Sequence, residues 1–156
     1  MWFSKKEGPA RPTGQVGAKI TVEVSVKVSA KATTKGRGDA AEALALAHLG
    51  QAGMVLLDSN YRTPGRGGGE IDLVMRDADG TLVFIEVRQR ASASHGGAGA
   101  SIGAVKQRRI IFAARHYLMR FKTLPPCRFD VVLIQGGWGD ADKPAIEWLR
   151  SAFEAF

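Results

Sequence analysis

Between positions 20 and 28 the chain alternates strictly, with Ile20, Val22, Val24, Val26 and Val28 set against Thr21, Glu23, Ser25, Lys27 and Ser29. A period of two marks a strand. The surrounding Ala, Lys and Thr residues offer no nearby partner strand, so the segment reads as part of a flexible basic extension, or else as an added edge strand. From Asp39 the pattern changes. Asp39 to Gln51 is an Ala/Leu-rich run of helical propensity, closed by Gly50 and Gly53. Met54 to Asp58 is a short apolar strand, followed by the loop from Thr63 to Gly69, read as a flexible connection. Two further apolar runs, Ile71–Arg76 and Leu82–Arg88, are joined by Asp77-Ala78-Asp79-Gly80 and form a hairpin. A small-residue loop from Ala91 to Ala100 leads to Ser101, a candidate N-cap for a helix from about Ile102 to Phe121. Pro125-Pro126 stops that helix, Phe129 to Gln135 is another strand, Trp138 to Asp142 a turn, and Ile146 to Phe156 a short closing element. Helix, three strands, helix and strand in this order predict an α/β domain over residues 36–156, with a mixed central sheet flanked by helices. Residues 1–35 form an extension in front of it.

The hairpin gathers charge at one end. Asp77 at the first turn position and Gly80 at the fourth suit a type I turn with a left-handed glycine bulge. That geometry pairs Asp77 with Thr81, so Asp72 faces Glu86 and Glu70 faces Arg88. Alternation puts Ile71, Leu73 and Met75 on one side of the first arm and Asp72 and Val74 on the other. Like charges directly opposed across a sheet are destabilising. A partly buried carboxylate pair calls for a cation or a shared proton, and a hard divalent ion such as Mg²⁺ suits carboxylate oxygens. The alternative is a Glu70–Arg88 ion bridge with Asp72 and Glu86 reaching water. Spacing alone leaves both open.

Charge adds to this picture through its distribution. Of the net +7, residues 1–37 hold eight Lys/Arg against two Glu, so the remaining chain is nearly balanced. Within that remainder, residues 87–129 carry no carboxylate and nine cations: Arg88, Arg90, Lys106, Arg108, Arg109, Arg115, Arg120, Lys122 and Arg128. A single-sign stretch inside a balanced domain predicts a basic face attractive to phosphate, with an ordinary solvated helix face as the alternative. The single cysteine, Cys127, excludes an intramolecular disulfide and fits a reducing compartment. No apolar run resembles a signal peptide or membrane span, so the expected location is the cytoplasm.

The strings Gly69-Glu70-Ile71-Asp72-Leu73-Val74 and Val83-Phe84-Ile85-Glu86-Val87-Arg88-Gln89-Arg90 resemble the YraN-type family of uncharacterised bacterial proteins. Gly38-Asp39-Ala40-Ala41-Glu42, Asn60-Tyr61-Arg62, Ala104-Val105-Lys106-Gln107-Arg108-Arg109, Arg128-Phe129-Asp130-Val131-Val132 and Ile146-Glu147-Trp148 extend the resemblance from about Gly36 to the C-terminus. The resemblance implies a restriction-endonuclease-like fold related to Holliday junction resolvases. It also implies a metal-dependent endonuclease acting on DNA, including branched DNA. That fold's pattern of a carboxylate, a spacer and Asp/Glu-x-Lys assigns Asp72 and Glu86 as ligands of Mg²⁺ or Mn²⁺, with the Val87 carbonyl completing the shell. Arg88 stands where the pattern has lysine. Arginine cannot act as a base, but it can place charge against phosphate. Glu42 is expected to point into the site as a further catalytic carboxylate. Its alternative is a capping box with Asp39. Glu70, Arg90, Lys106, Arg108 and Arg109 are the expected nucleic-acid contacts, and a homodimer is the expected assembly. The rival reading is a non-catalytic nucleic-acid-binding module with a degenerate site, favoured by Arg88.

Other signals lead elsewhere. The Gly65–Gly69 loop lacks Gly-Lys-Ser/Thr and precedes a strand, so it is not a nucleotide cradle. His48, His95, His116 and Cys127 have no zinc-ligand spacing. Arg128 and Asp130 flank Phe129 and read as a structural ion pair.

Overall fold

The structure, a computed structural model, describes residues 34–90, 102–136 and 143–155. The alternating segment at 20–28, Ser101 and the turn at 138–142 lie outside the described residues. The elements are α1 (Thr34–Gln51), β1 (Val55–Arg62), β2 (Glu70–Arg76), β3 (Leu82–Arg90), α2 (Ala104–Leu118), β4 (Cys127–Gln135) and β5 (Ala145–Phe153). One sheet takes the strands in sequence order, β1-β2-β3-β4-β5. Only the β3–β4 pair is parallel, and α2 makes that crossover. The expected mixed α/β sheet flanked by helices is the observed architecture, with the closing element resolved as an antiparallel strand.

The helices take opposite faces. Ala41, Ala45 and Leu49 of α1 pack on Leu73, Met75, Val83, Ile85, Val132 and Ile134. Ile110, Ala113, Ala114 and Tyr117 of α2 pack on Ile71, Val74, Phe84, Phe129, Val131 and Leu133. The strands between are therefore apolar on both sides, as their continuous hydrophobic runs require.

The hairpin register is the expected one: Leu73 pairs with Ile85, Val74 with Phe84, Met75 with Val83 and Arg76 with Leu82. The Asp77 amide donates to the Thr81 carbonyl at 2.9 Å, and Gly80 takes φ +89. A left-handed residue here would strain any side chain but glycine's absence of one. Alternation along β2, however, breaks where the sequence gives no sign of it. Ile71 faces α2 while Leu73 faces α1. The break lies at Asp72, between the cross-strand pairs Ser59–Leu73 and Tyr61–Ile71, opposite Asn60 with its left-handed φ of 52.

Other boundaries also move. Helix α1 begins at Thr34, five residues before the expected start, so Asp39 lies within the helix and the Asp39–Glu42 capping box does not form. Strand β1 runs on to Arg62. Helix α2 starts after Gly103, which has no side-chain cap, and ends at Leu118 rather than Phe121. The Thr63–Gly69 loop is closed rather than open: the Thr63 amide donates to the Gly69 carbonyl at 3.1 Å, and the Gly69 amide to Thr63 Oγ1 at 2.8 Å.

Candidate metal centre

Asp72 sits at the break in β2, where the β2–β3 ladder ends at Leu73–Ile85. Its Oδ2 accepts the Val87 amide of β3 at 2.8 Å. A carboxylate thus takes the place of a ladder carbonyl. In an extended strand a residue's amide and carbonyl point to the same side, so the Val87 carbonyl also faces Asp72 rather than β4.

Glu86, one residue earlier on β3, is buried. Its carboxyl lies against that of Asp72 and is pushed up to about 7, first by burial and then by the Asp72 charge. Asp72 is raised too, by burial, although the Val87 amide and the Lys106 charge hold it back. The pair therefore shares a proton, with Glu86 as its holder. From α2, Lys106 Nζ approaches Glu86 Oε2 to 3.1 Å. This is ion-pair distance, and the lysine lowers the Glu86 carboxyl against the rise that burial and Asp72 impose.

Lys106 reaches the pair because α2 seats closely on the start of β2. A methyl group at Gly69 would lie 1.9 Å from the Arg109 carbonyl oxygen and 2.9 Å from Ala113 Cβ. Glycine at 69 is what lets the helix descend, and Lys106 lies one turn before Arg109 and Ile110. On the other face, Glu42 of α1 accepts Asn60 Nδ2 at 3.0 Å. Burial raises its carboxyl, Asn60 lowers it, and the charges of Asp72, Asp39 and Glu70 raise it again. The Gln89 side chain donates to the Arg37 carbonyl, tying the first turns of α1 to the end of β3.

The expected site residues divide accordingly. Asp72, Glu86 and the Val87 backbone come together. Lys106, expected on the phosphate-contacting surface, joins them by pairing with Glu86. Glu42 is near in charge but held by Asn60; among the described residues no three His, Cys, Asp or Glu side chains converge on one point. Glu70 takes Arg62 Nη2 at 2.9 Å. Arg88, Arg108 and Arg109 are exposed, and Arg90 is half-buried. Sequence reasoning missed the Lys106–Glu86 contact and the Asn60–Glu42 contact. The first had a signal: Lys106 leads the buried stripe Ile110, Ala114, Tyr117 at helical spacing.

The donor set fits a hard divalent ion. Mg²⁺ is commonly held by one or two carboxylates, its shell completed by water and substrate phosphate. Two adjacent buried carboxyls and a carbonyl on the same side supply the protein's share.

A mixed α/β sheet with a buried acidic pair where two central strands part defines the class: an α/β domain with a candidate metal centre at its sheet end. The particular family follows from comparison. Residues 41–134 match the model of the uncharacterised protein family UPF0102, to which this chain belongs and which is the YraN-type family of the resemblance. A UPF0102 protein of Polaromonas naphthalenivorans is 63% identical over 157 residues, covering 99% of each chain. One from Albidiferax ferrireducens is 68% identical over 123 residues, covering 79% of this chain and 91% of its own. The Polaromonas alignment includes the N-terminal extension.

Proposed function

We propose that this chain is a Mg²⁺- or Mn²⁺-dependent endonuclease that hydrolyses phosphodiester bonds in DNA. The observation that carries the proposal is the buried Asp72–Glu86 carboxyl pair at the point where the β2–β3 ladder ends. Burying two carboxyls side by side is costly, and a bound cation offsets that cost. A bound divalent ion supplies Lewis-acid polarisation of the phosphoryl oxygen and a water activated at neutral pH. Asp72, fixed by the Val87 amide, and Glu86, once deprotonated, hold that ion, with the Val87 carbonyl beside them. Arg88, exposed two residues beyond Glu86, presents a permanent positive charge to an incoming phosphodiester. Arg90, Arg108 and Arg109 extend that charge along the approaching backbone, where phosphate contacts set position rather than sequence. The family resemblance extends the proposal to branched DNA among its substrates, to a homodimer and to the cytoplasm. Among the described residues, no helix is long and apolar enough to cross a membrane.

The test is a panel of linear, flapped and four-way DNA substrates incubated with Mg²⁺, Mn²⁺ or EDTA, with cutting and binding measured on the same molecules. Asp72→Asn and Glu86→Gln should each slow cleavage by at least about 10²-fold, the scale for losing a transition-state stabilising group. Binding should hold or improve as repulsion of phosphate is relieved. The second reading, a binding module without turnover, is favoured by Arg88 in the place of lysine. Wild-type protein that binds but cuts nothing with either metal would establish it.

A further inference from the structure

The acidic pair has a cation of its own. Lys106 is the side chain that meets the buried Glu86 oxygen, at 3.1 Å. It comes from α2, a different element from the strand residues Asp72 and Glu86. The two partners differ in exposure: Lys106 keeps 40% of its side-chain surface in water, Glu86 only 9%. The carboxylate is buried, while the lysine side chain, on a flexible stem, is half-exposed to water.

We propose that Lys106 is the site's internal counter-cation, which occupies Glu86 when no divalent ion is bound and is displaced from it when one binds. The inference rests on the metal-site reading above and deepens it by naming the competitor. Two geometric facts carry it. Lys106 meets the buried Glu86 oxygen at 3.1 Å from a side chain that keeps 40% of its surface in water, so the contact can be broken without burying the ammonium. The helix that carries Lys106 is held down independently, by the close approach of Gly69 to Arg109 and Ala113, so lysine can swing away while α2 stays in place. Displaced, the ammonium remains within one side-chain length of the carboxylates, on their water-facing side. There it is a point charge suited to a non-bridging phosphate oxygen. Lys106 thereby fills spatially the role that Arg88 occupies in sequence, as a positioning residue and not as a base.

A merely structural lysine and a displaceable one predict opposite effects on metal affinity. Lys106→Met keeps the stem and removes the charge; Lys106→Arg keeps the charge. Mn²⁺ affinity is measured by calorimetry on the full-length chain without DNA, at pH 8.5, where Glu86 is largely deprotonated in the wild type. Loss of the competitor should tighten Mn²⁺ binding in Lys106→Met by up to about fivefold, the ceiling for a partly exposed ion pair. Lys106→Arg should stay near wild type. Single-turnover cleavage by Lys106→Met should fall by about 10²-fold with DNA affinity little changed. Weaker or unchanged Mn²⁺ binding in a folded Lys106→Met protein overturns the proposal. Should Lys106→Met fail to fold, Lys106→Gln is read in the same assay against the same criterion. The metal assay needs no turnover: tighter Mn²⁺ binding with no cleavage by wild type upholds the counter-cation and overturns the nuclease reading alone.

Discussion

The chemistry at Glu86 is set by burial and by two neighbours that compete for one carboxyl. Burial and the Asp72 charge raise it to about 7, and Lys106 pulls it back. Between its ordinary value of 4.5 and about 7, the folded chain holds a proton that the unfolded chain has released. This group's contribution to stability is therefore full below 4.5 and is lost as pH rises through 7. Metal binding runs the other way, since ligation requires the deprotonated carboxylate. Mn²⁺ affinity should climb from pH 5.5 to 7.5 and level off above, with proton release seen as a buffer-dependent heat in calorimetry. In Glu86→Gln the metal-free protein should melt at a higher temperature than wild type at pH 8, and the pH-dependent part of its stability should shrink. A flat affinity between pH 5.5 and 7.5 would contradict a shared proton on this pair. Of this constellation, Asp72 facing Glu86 was legible from turn chemistry alone, because Asp77 and Gly80 fix the register of the hairpin. The third member was not. Lys106 lies twenty residues beyond Glu86; helical spacing lines it up with the buried stripe of α2, but the contact depends on how deeply the helix settles, which that stripe does not encode.

At the scale of elements, the site exists because two regular structures give way at matched points. Strand β2 breaks alternation at Asp72, opposite the left-handed Asn60 of β1, and the Val87 amide that would have continued the β2–β3 ladder goes to the Asp72 side chain instead. The period of two in Ile71, Leu73 and Met75 predicts a shared face, yet Ile71 crosses to the α2 side. Each residue is apolar and finds a core on either face, so the sequence carries no penalty that would expose the switch. The early start of α1 is hidden for a related reason: Thr34 and Gly36 have weak helix propensity, and the helix is held by packing and by Gln89 on the Arg37 carbonyl. Helix α2 depends on Gly69 in a way that is open to direct trial. Alanine there would put a methyl 1.9 Å from the Arg109 carbonyl, and backbone cannot rotate aside as a side chain can. Gly69→Ala should cost about 1–3 kcal/mol in urea unfolding, the range for overpacking. By lifting α2, it should also lengthen the Lys106–Glu86 contact and imitate Lys106→Met in metal affinity. Wild-type stability in Gly69→Ala would mean the helix has room to move outward at no cost.

Across the whole molecule, the basic face is narrower than the count of cations suggests. Among the nine cations of residues 87–129, Lys106 is engaged with Glu86, Arg120 lies over the Tyr117 ring at 3.6 Å, and Arg128 bridges Asp77 and the fully buried Asp130. The Arg128–Asp130 pair is the structural one expected, and Trp148 Nε1 and the Ser151 amide complete the Asp130 shell. Long-range attraction for a polyanion must then draw on the extension as well. Residues 1–33 carry Lys5, Lys6, Arg11, Lys19, Lys27 and Lys31 against Glu7 and Glu23. Each phosphate neutralised by such a charge releases condensed counterions, steepening the dependence of log K on log salt by about 0.9 on duplex DNA. Removing residues 1–33 should therefore weaken DNA binding at low salt and flatten the slope, by up to about 5 if all six cations engage. The cleavage rate of bound substrate should be unchanged, since Asp72, Glu86 and Lys106 all lie on elements outside the deleted stretch. Titrations of full-length and truncated protein between 50 and 300 mM salt, on the order of the range where such slopes are linear, measure both quantities together. Identical slopes would assign the whole electrostatic footprint to the domain. A truncated protein with reduced melting temperature would instead mean that the extension contributes to the stability of the sheet.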